Sequence, residues 1–168
     1  MGSSRIWGKI AAFYTKPTGY NNVALAIFDL DNTLLSGDSD HLWGHFLASK
    51  GVVDGEAYER ENQRFYEEYK AGELDIYEFL AFSLKPLSEM EPEILKQLHR
   101  EFMDSHILPI ITRKSRELVD THRQQGDLLM IITATNRFVT GPIADELGIE
   151  HLLATDPEML DGRYTGKV

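Results

Sequence analysis

The chain has 168 residues, which is enough for one ordinary domain with a modest insertion. Its formal charge is −10, with 27 acidic and 17 basic residues, and no segment is dense in Lys or Arg, so a nucleic-acid binder is not expected. The absence of cysteine excludes disulfides and thiolate sites and suits a cytoplasmic protein, and no apolar run reaches the ~20 residues that cross a membrane.

The first half of the chain predicts one strand followed by helices. Residues 1–22 are interpreted as an N-terminal extension. The apolar run 23–28, which ends at Asp29, predicts a strand buried on both faces of a parallel sheet. From about His41 to Pro109 the periodicity is helical without a strand signal, and it predicts helices from about 41 to Gly51 and over 56–71, 76–84 and 92–103.

The second half alternates helices and strands. It predicts a helix over 112–125, a buried strand over 128–132 that runs into Thr133, a helix over 139–147 and a strand over 151–154. Asp161-Gly162 predicts a hairpin turn. This order indicates an α/β fold with a Rossmann-like parallel sheet core, formed by 23–37 and 110–168, and an inserted all-helical cap over 38–109.

Two carboxylates stand where the first strand ends, in the segment FDLDNTLL of residues 28–35. Ligands in open α/β sheets bind at the carboxyl ends of strands, and two neighbouring acids there need a cation between them. Mg²⁺ prefers oxygen ligands and binds one or two carboxylates together with substrate phosphate. Asp29 and Asp31 can therefore serve as a nucleophile toward phosphorus and as its acid/base partner.

The segment Asp29-Leu30-Asp31-Asn32-Thr33 after an apolar strand resembles the first motif of the haloacid dehalogenase-like superfamily. The resemblance implies that Asp29 is the nucleophile and a metal ligand. It also implies that Asp31 is the acid/base and gives Mg²⁺ its backbone carbonyl. Thr133 takes the place of the second motif, so its hydroxyl and the N–H of Ala134 are expected to hold the phosphoryl group. The alternative is a Thr that only caps the following helix.

The position of the helical insertion, with the stretches 133–140 and 161–166, resembles the phosphoserine phosphatase-like branch and bacterial histidinol-phosphate phosphatases. The resemblance implies that Asp38, nine positions after Asp29, contacts a substrate amine. A helix N-cap is an equally good interpretation of Asp38, and Asp40 competes for that cap. Arg137 is a candidate contact for an anionic substrate, and a surface role is an equal alternative.

The function expected from these residues is a Mg²⁺-dependent phosphatase acting on a small phosphate ester through a phospho-aspartate. The family's Lys and its downstream acidic pair are not assigned, because Lys167 and Asp156 come too early in the chain. The alternative is therefore a truncated, inactive remnant that binds phosphate or a partner chain. A receiver-type domain phosphorylated on Asp29 is disfavoured by the long helical insertion. Sequence does not specify the ester or the oligomeric state.

Overall fold

The computed structural model describes residues 23–168. Three parallel strands form one sheet in the order β1-β2-β3, with β1 at Leu25–Phe28, β2 at Leu128–Asn136 and β3 at His151–Thr155. Phe28 lies opposite Ile131 in the β1–β2 pair. Strands β4 (Met159–Leu160) and β5 (Arg163–Tyr164) form an antiparallel hairpin at the predicted turn. The predicted α/β fold with a parallel sheet is confirmed. The N-terminal extension lies outside the described residues.

Four helices lie between β1 and the helix that leads into β2. They are α1 (Ser39–Ser49), α2 (Gly55–Ala71), α3 (Ile76–Glu89) and α4 (Pro92–Phe102). Two short turns, Met103–Ile107 and Leu108–Ile110, then connect to α5 (Arg113–Gln124), and α6 (Arg137–Glu146) joins β2 to β3. No helix within residues 23–168 is long and apolar enough to cross a membrane.

Side-chain caps fix where the helices begin. Asp54, Asp75 and Thr112 each accept hydrogen bonds from backbone N–H groups in the first turn of α2, α3 and α5. Helix α2 is capped at its C-terminus by Gly72, whose φ of 74° is the left-handed conformation that glycine adopts without steric cost. These local signals explain why most of the helices could be predicted from the sequence.

Two predicted elements end later than expected. Helix α3 continues past Pro86 to Glu89, because Pro86 and Leu87 are both buried, and that packing offsets the lost backbone hydrogen bond. Strand β2 continues past Thr133 to Asn136, which lies opposite Thr155 of β3. Residues 133–135 therefore stand opposite a single residue, and this irregularity shapes the strand end that faces the site.

The prediction that β1 is buried on both faces is wrong. Ala26 and Phe28 are buried, whereas Leu25 and Ile27 are 50% and 54% exposed. The reason lies in the two crossover connections, which contain α5 and α6 and run in the same direction along the sheet. Because such crossovers are right-handed, both helices pack on the same face of the sheet. Leu153 of β3 is also exposed, so within the described residues the opposite face of the sheet is uncovered.

Aromatic side chains join the helical insertion to the sheet layer. Trp43 of α1 packs against Phe102 of α4 and Phe138 of α6, with ring centroids 5.1 and 5.5 Å apart. Buried residues of the insertion and of the sheet belong to one continuous hydrophobic cluster. This packing fixes α1 beside the carboxyl ends of β1 and β2. The division into a core and a cap at residues 38 and 109 stays a prediction.

Candidate active site

The chain turns sharply directly after β1, and this turn presents Asp29. Leu30 and Leu34 are fully buried and attach the turn to the hydrophobic core. Asn32 has a φ of 57°, a left-handed conformation that Asn tolerates better than most residues, and its N–H donates to the carbonyl of Gly37 at 2.9 Å. The buried leucines and the turn thus leave the polar side chains of Asp29 and Thr33 exposed.

Asp29 is held by one hydrogen bond and keeps one carboxylate oxygen free. The hydroxyl of Thr33 donates to Oδ2 at 2.9 Å. Within residues 23–168 no hydrogen bond reaches Oδ1. A carboxylate that is fixed on one side and open on the other has the geometry of a nucleophile or a metal ligand.

Asp31 links the two strand ends. Its Oδ1 accepts from the backbone N–H of Ser39 at 2.7 Å, and its Oδ2 accepts from the hydroxyl of Thr135 at 2.9 Å. Burial raises the pKa of Asp31, the hydrogen bonds from Ser39 and Thr135 oppose that rise, and the charge of Asp38 adds to it. The carboxyl group is thus oriented from three segments, the β1 turn, the start of α1 and the end of β2.

The end of β2 contributes Thr133 and Thr135. The Thr133 hydroxyl accepts from the N–H of Thr135 at 3.1 Å, a local turn that stands within the irregular stretch of the strand. Asn136 is the cap of α6, because its side chain accepts from the N–H of Val139 at 3.1 Å, so the interpretation of Thr133 as that cap is wrong. The roles of Thr133 and Ala134 in phosphate binding stay predictions.

Asp38 and Asp40 have different structural roles. Asp38 caps α1 by accepting from the N–H of His41 at 3.0 Å, which confirms the cap interpretation, whereas its contact with a substrate amine stays a prediction. Asp40 accepts from the side-chain amide of Asn136 at 3.4 Å and thereby joins α1 to the start of α6. Burial, with the charges of Asp38 and Asp31, raises the pKa of Asp40 from 3.8 to about 7.

Replacing Asp40 with Asn is expected to stabilise the protein at pH 8 and much less at pH 5. Between its ordinary pKa of 3.8 and the folded value of about 7, the folded protein retains a proton that the unfolded chain releases, so unfolding becomes easier as pH rises. Besides burial, the charges of Asp38 and Asp31 raise this pKa, and Asp40 in turn raises the pKa of Tyr58 on α2. Since Asp40 is only partly buried, we expect a gain of about 1–2 kcal/mol, or ~3–6 °C in Tm at pH 8.

Thermal unfolding of Asp40→Asn and the parent protein in EDTA at the two pH values measures this effect. Asp145→Asn, at an exposed position on α6, is the matched control and should leave Tm unchanged at both pH values. The expectation would be contradicted if the difference in Tm between Asp40→Asn and the parent protein were the same at pH 5 and pH 8.

Arg137 is engaged with the segment around β3. Its Nη2 donates to the carbonyl of Leu152 at 3.0 Å, and its Nε pairs with the carboxylate of Asp156. These contacts engage Nε and Nη2, so an anionic substrate that used these two donors would have to compete with them. The contact of Arg137 with substrate stays a prediction.

The sequence did not reveal Thr135, Ser39 or Asn136 as parts of this site. Thr135 follows Thr133 by two positions, which on a strand returns a side chain to the same face, and that spacing is the one signal that could have indicated it. The N–H of Ser39 and the side chain of Asn136 reach Asp31 and Asp40 only through tertiary packing.

The donor set fits Mg²⁺ in part. The Asp29 carboxylate can supply one oxygen to phosphorus and the other to Mg²⁺, because Oδ1 accepts no hydrogen bond within residues 23–168 and Oδ2 accepts one. Both side-chain oxygens of Asp31, in contrast, already accept hydrogen bonds. Among residues 23–168 no group of three His, Cys, Asp or Glu side chains is placed to hold a metal ion. Any Mg²⁺ would therefore depend on Asp29, on backbone oxygen and on phosphate oxygens of the substrate.

The chain is similar in sequence to proteins named as phosphatases. The chain is 46% identical over 143 residues to the histidinol-phosphatase of Neisseria meningitidis serogroup C, which covers 84% of this chain and 64% of that protein. It is 30% identical over 151 residues to a phosphoserine phosphatase of Mycobacterium tuberculosis, covering 86% of this chain and 48% of that protein. The chain thus spans less than two thirds of the length of these relatives.

Solved structures agree with the fold. A Bordetella pertussis protein described as of unknown function superposes with a TM-score of 0.81 at 45% identity, over 86% of this chain and 66% of that one. A phosphoserine phosphatase solved as a phospho-aspartyl intermediate analogue gives a TM-score of 0.58 at 18% identity, which supports the fold alone. Residues 26–168 match the family described as haloacid dehalogenase-like hydrolase. The chain therefore belongs to the haloacid dehalogenase-like hydrolase family.

Proposed function

We propose that the protein is a Mg²⁺-dependent phosphomonoesterase that hydrolyses a small phosphorylated metabolite through a phospho-aspartate at Asp29. The observation that carries this proposal is the placement of Asp31. The carboxyl group of Asp31 accepts a hydrogen bond from Thr135 at the end of β2. Asp31 also follows Asp29 by two positions, and Asp29 has a free carboxylate oxygen. The residues proposed as nucleophile, acid/base group and phosphate-binding strand end thus belong to one edge of the sheet, which supports the proposal.

In the first step Oδ1 of Asp29 attacks phosphorus and the ester oxygen leaves. The carboxyl group of Asp31 gives its proton to that oxygen, so that an alcohol and an acyl phosphate are formed. In the second step Asp31, now a carboxylate, takes a proton from water, which attacks phosphorus and releases phosphate from Asp29. The hydrogen bond from Thr33 keeps the Asp29 carboxylate oriented during both steps.

The phosphoryl oxygens would lie against the end of β2. The Thr133 hydroxyl and the Ala134 N–H are donors at this place, and the first turn of α6 directly after it adds the positive end of a helix dipole. Asp29, with the Asp31 backbone carbonyl, would hold the metal ion. When bound, Mg²⁺ would neutralise charge between the carboxylate nucleophile and the anionic ester.

The substrate class proposed is a phosphate ester that carries an amine, similar to phosphoserine or histidinol phosphate. The similarity to proteins with these two activities supports the class. Asp38, an exposed carboxylate at the start of α1 beside Asp31, supplies negative charge that an amine would favour. An anionic group that bound the Nε and Nη2 donors of Arg137 would compete with Asp156 and with the carbonyl of Leu152.

Hydrolysis of histidinol phosphate, phosphoserine and 4-nitrophenyl phosphate, with Mg²⁺ or with EDTA, tests the proposal. We expect phosphate release with Mg²⁺ and a loss of about 100-fold in EDTA, because the metal supplies several kcal/mol of charge stabilisation. Restoring Mg²⁺ should restore the rate. A folded protein that releases no phosphate from any of the three esters would overturn it.

The second candidate is a non-catalytic protein that binds phosphate or a partner chain. Two observations favour it, the absence of a third metal-ligating carboxylate within residues 23–168 and the uncovered apolar face of the sheet. Binding of inorganic phosphate to a folded chain without hydrolysis of any ester would support this candidate.

A further inference from the structure

A cavity of about 530 Å³ is lined by residues other than those assigned to phosphoryl transfer. Its lining residues come from α4 and the turn after it, from α6, and from Tyr164 of β5. Asp29, Asp31, Thr133 and Ala134 do not line it. Its volume falls within the ~300–1,000 Å³ that is common for small-molecule sites.

The inner wall of the cavity is aromatic and rigid. The ring of His99, which is 5% exposed, meets Phe138 edge-on with centroids 5.0 Å apart, and Phe138 meets Tyr164 edge-on at 5.5 Å. Nε2 of His99 lies 3.1 Å from the carbonyl of Val139, which fixes the ring. Burial lowers the pKa of His99, so the ring is neutral near pH 7 and this wall presents an apolar surface.

The rim of the cavity is cationic in a protein whose net charge is −10. Lys96, Arg100 and Arg137 line it against the single carboxylate of Asp104. Lys96 is paired with Glu93 at 2.8 Å and Arg137 with Asp156, whereas the structure of residues 23–168 shows no ion pair within 4.0 Å for Arg100. Arg100 is therefore the cation that is available to an incoming anion.

We propose that this cavity binds a small organic carboxylate with an apolar or aromatic body, and that Arg100 is its anion contact. The aromatic wall takes the body of the ligand and the guanidinium takes the carboxylate in a charge-assisted, bidentate geometry. A neutral ligand of the same shape loses that contact and leaves the cationic rim uncompensated. The proposal does not depend on the catalytic function, since the anion contact Arg100 has no role there, and of the lining residues only Arg137 is also considered as a contact for the phosphate ester.

Calorimetric titration of the 168-residue chain with 3-phenylpropionate tests this site, with 3-phenylpropionamide as the neutral ligand of matched shape. We expect the carboxylate to bind at least about tenfold more tightly than the amide, which is the effect of one charge-assisted hydrogen bond. Arg100→Gln should remove this preference. Arg113→Gln, at an exposed position on α5, should keep it.

Amide chemical-shift changes then locate the ligand. Changes in α4, Phe138 and Tyr164, together with unchanged affinity in Asp29→Asn, support the proposed site. Equal affinity for the acid and the amide, equal affinity in Arg100→Gln and the parent protein, or shifts confined to Asp29 and Thr133 would each overturn it.

Discussion

Replacing Asp29 with Asn is expected to lower the rate of phosphate release by about 1,000-fold or more, with the fold unchanged. An amide oxygen is a poor nucleophile toward phosphorus, and the neutral side chain also binds a metal ion more weakly than the carboxylate. The substitution keeps the shape of the side chain and an oxygen that can accept the hydrogen bond from Thr33. The loss should therefore appear in kcat rather than in stability. Steady-state kinetics with 4-nitrophenyl phosphate and thermal unfolding measure the two effects.

Asp104→Asn is the matched control, since Asp104 is an exposed carboxylate on the turn after α4. It should retain the parent rate. A rate for Asp29→Asn within about tenfold of the parent would show that another group attacks the ester, because a tenfold change corresponds to only ~1.4 kcal/mol of transition-state stabilisation.

The fold was predictable from the sequence wherever local signals decide the structure. The apolar runs that end at Asp29 and Thr133, the glycine after α2 and the Asp-Gly turn of the hairpin each specify an element over a few residues. Asp29 and Asp31 were predictable as a pair because they stand together where β1 ends. The predicted strand–helix–strand order indicates a parallel sheet, in which the ends of β1 and β2 lie at the same edge, so Asp29 and Asp31 are expected at that edge.

The remaining features of the site depend on contacts between segments far apart in the chain. Thr135 reaches Asp31 across 104 positions, and Asn136 reaches Asp40 across 96. No local pattern encodes either contact, because the first depends on the pairing of β1 with β2 and the second on how α1 packs on the end of β2. The exposure of Leu25 was likewise not predicted, since a continuously apolar sequence does not indicate whether helices cover one face of the sheet or both.

Replacing Asp31 with Asn is expected to separate the two chemical steps. With an alkyl ester such as histidinol phosphate, the rate should fall by about 10²–10⁴-fold, because the leaving oxygen no longer receives a proton. With 4-nitrophenyl phosphate the leaving group departs without that proton, so the first step continues and Asp29 becomes phosphorylated. The second step then stalls, because no base activates water. Rapid-mixing kinetics should show a burst of about one nitrophenolate per chain, followed by slow turnover.

The burst is informative because a purely structural defect does not produce it. Asp31 holds the start of α1 and the end of β2 together through Ser39 and Thr135, so the substitution could lower activity by loosening the site. Thr135→Val removes one of these contacts and keeps the Asp31 carboxylate, which makes it the matched control. If the hydrogen bond only positions Asp31, Thr135→Val should slow both esters to a similar degree without a burst. Equal losses on both esters without a burst in Asp31→Asn would assign Asp31 a positioning role and require a different acid.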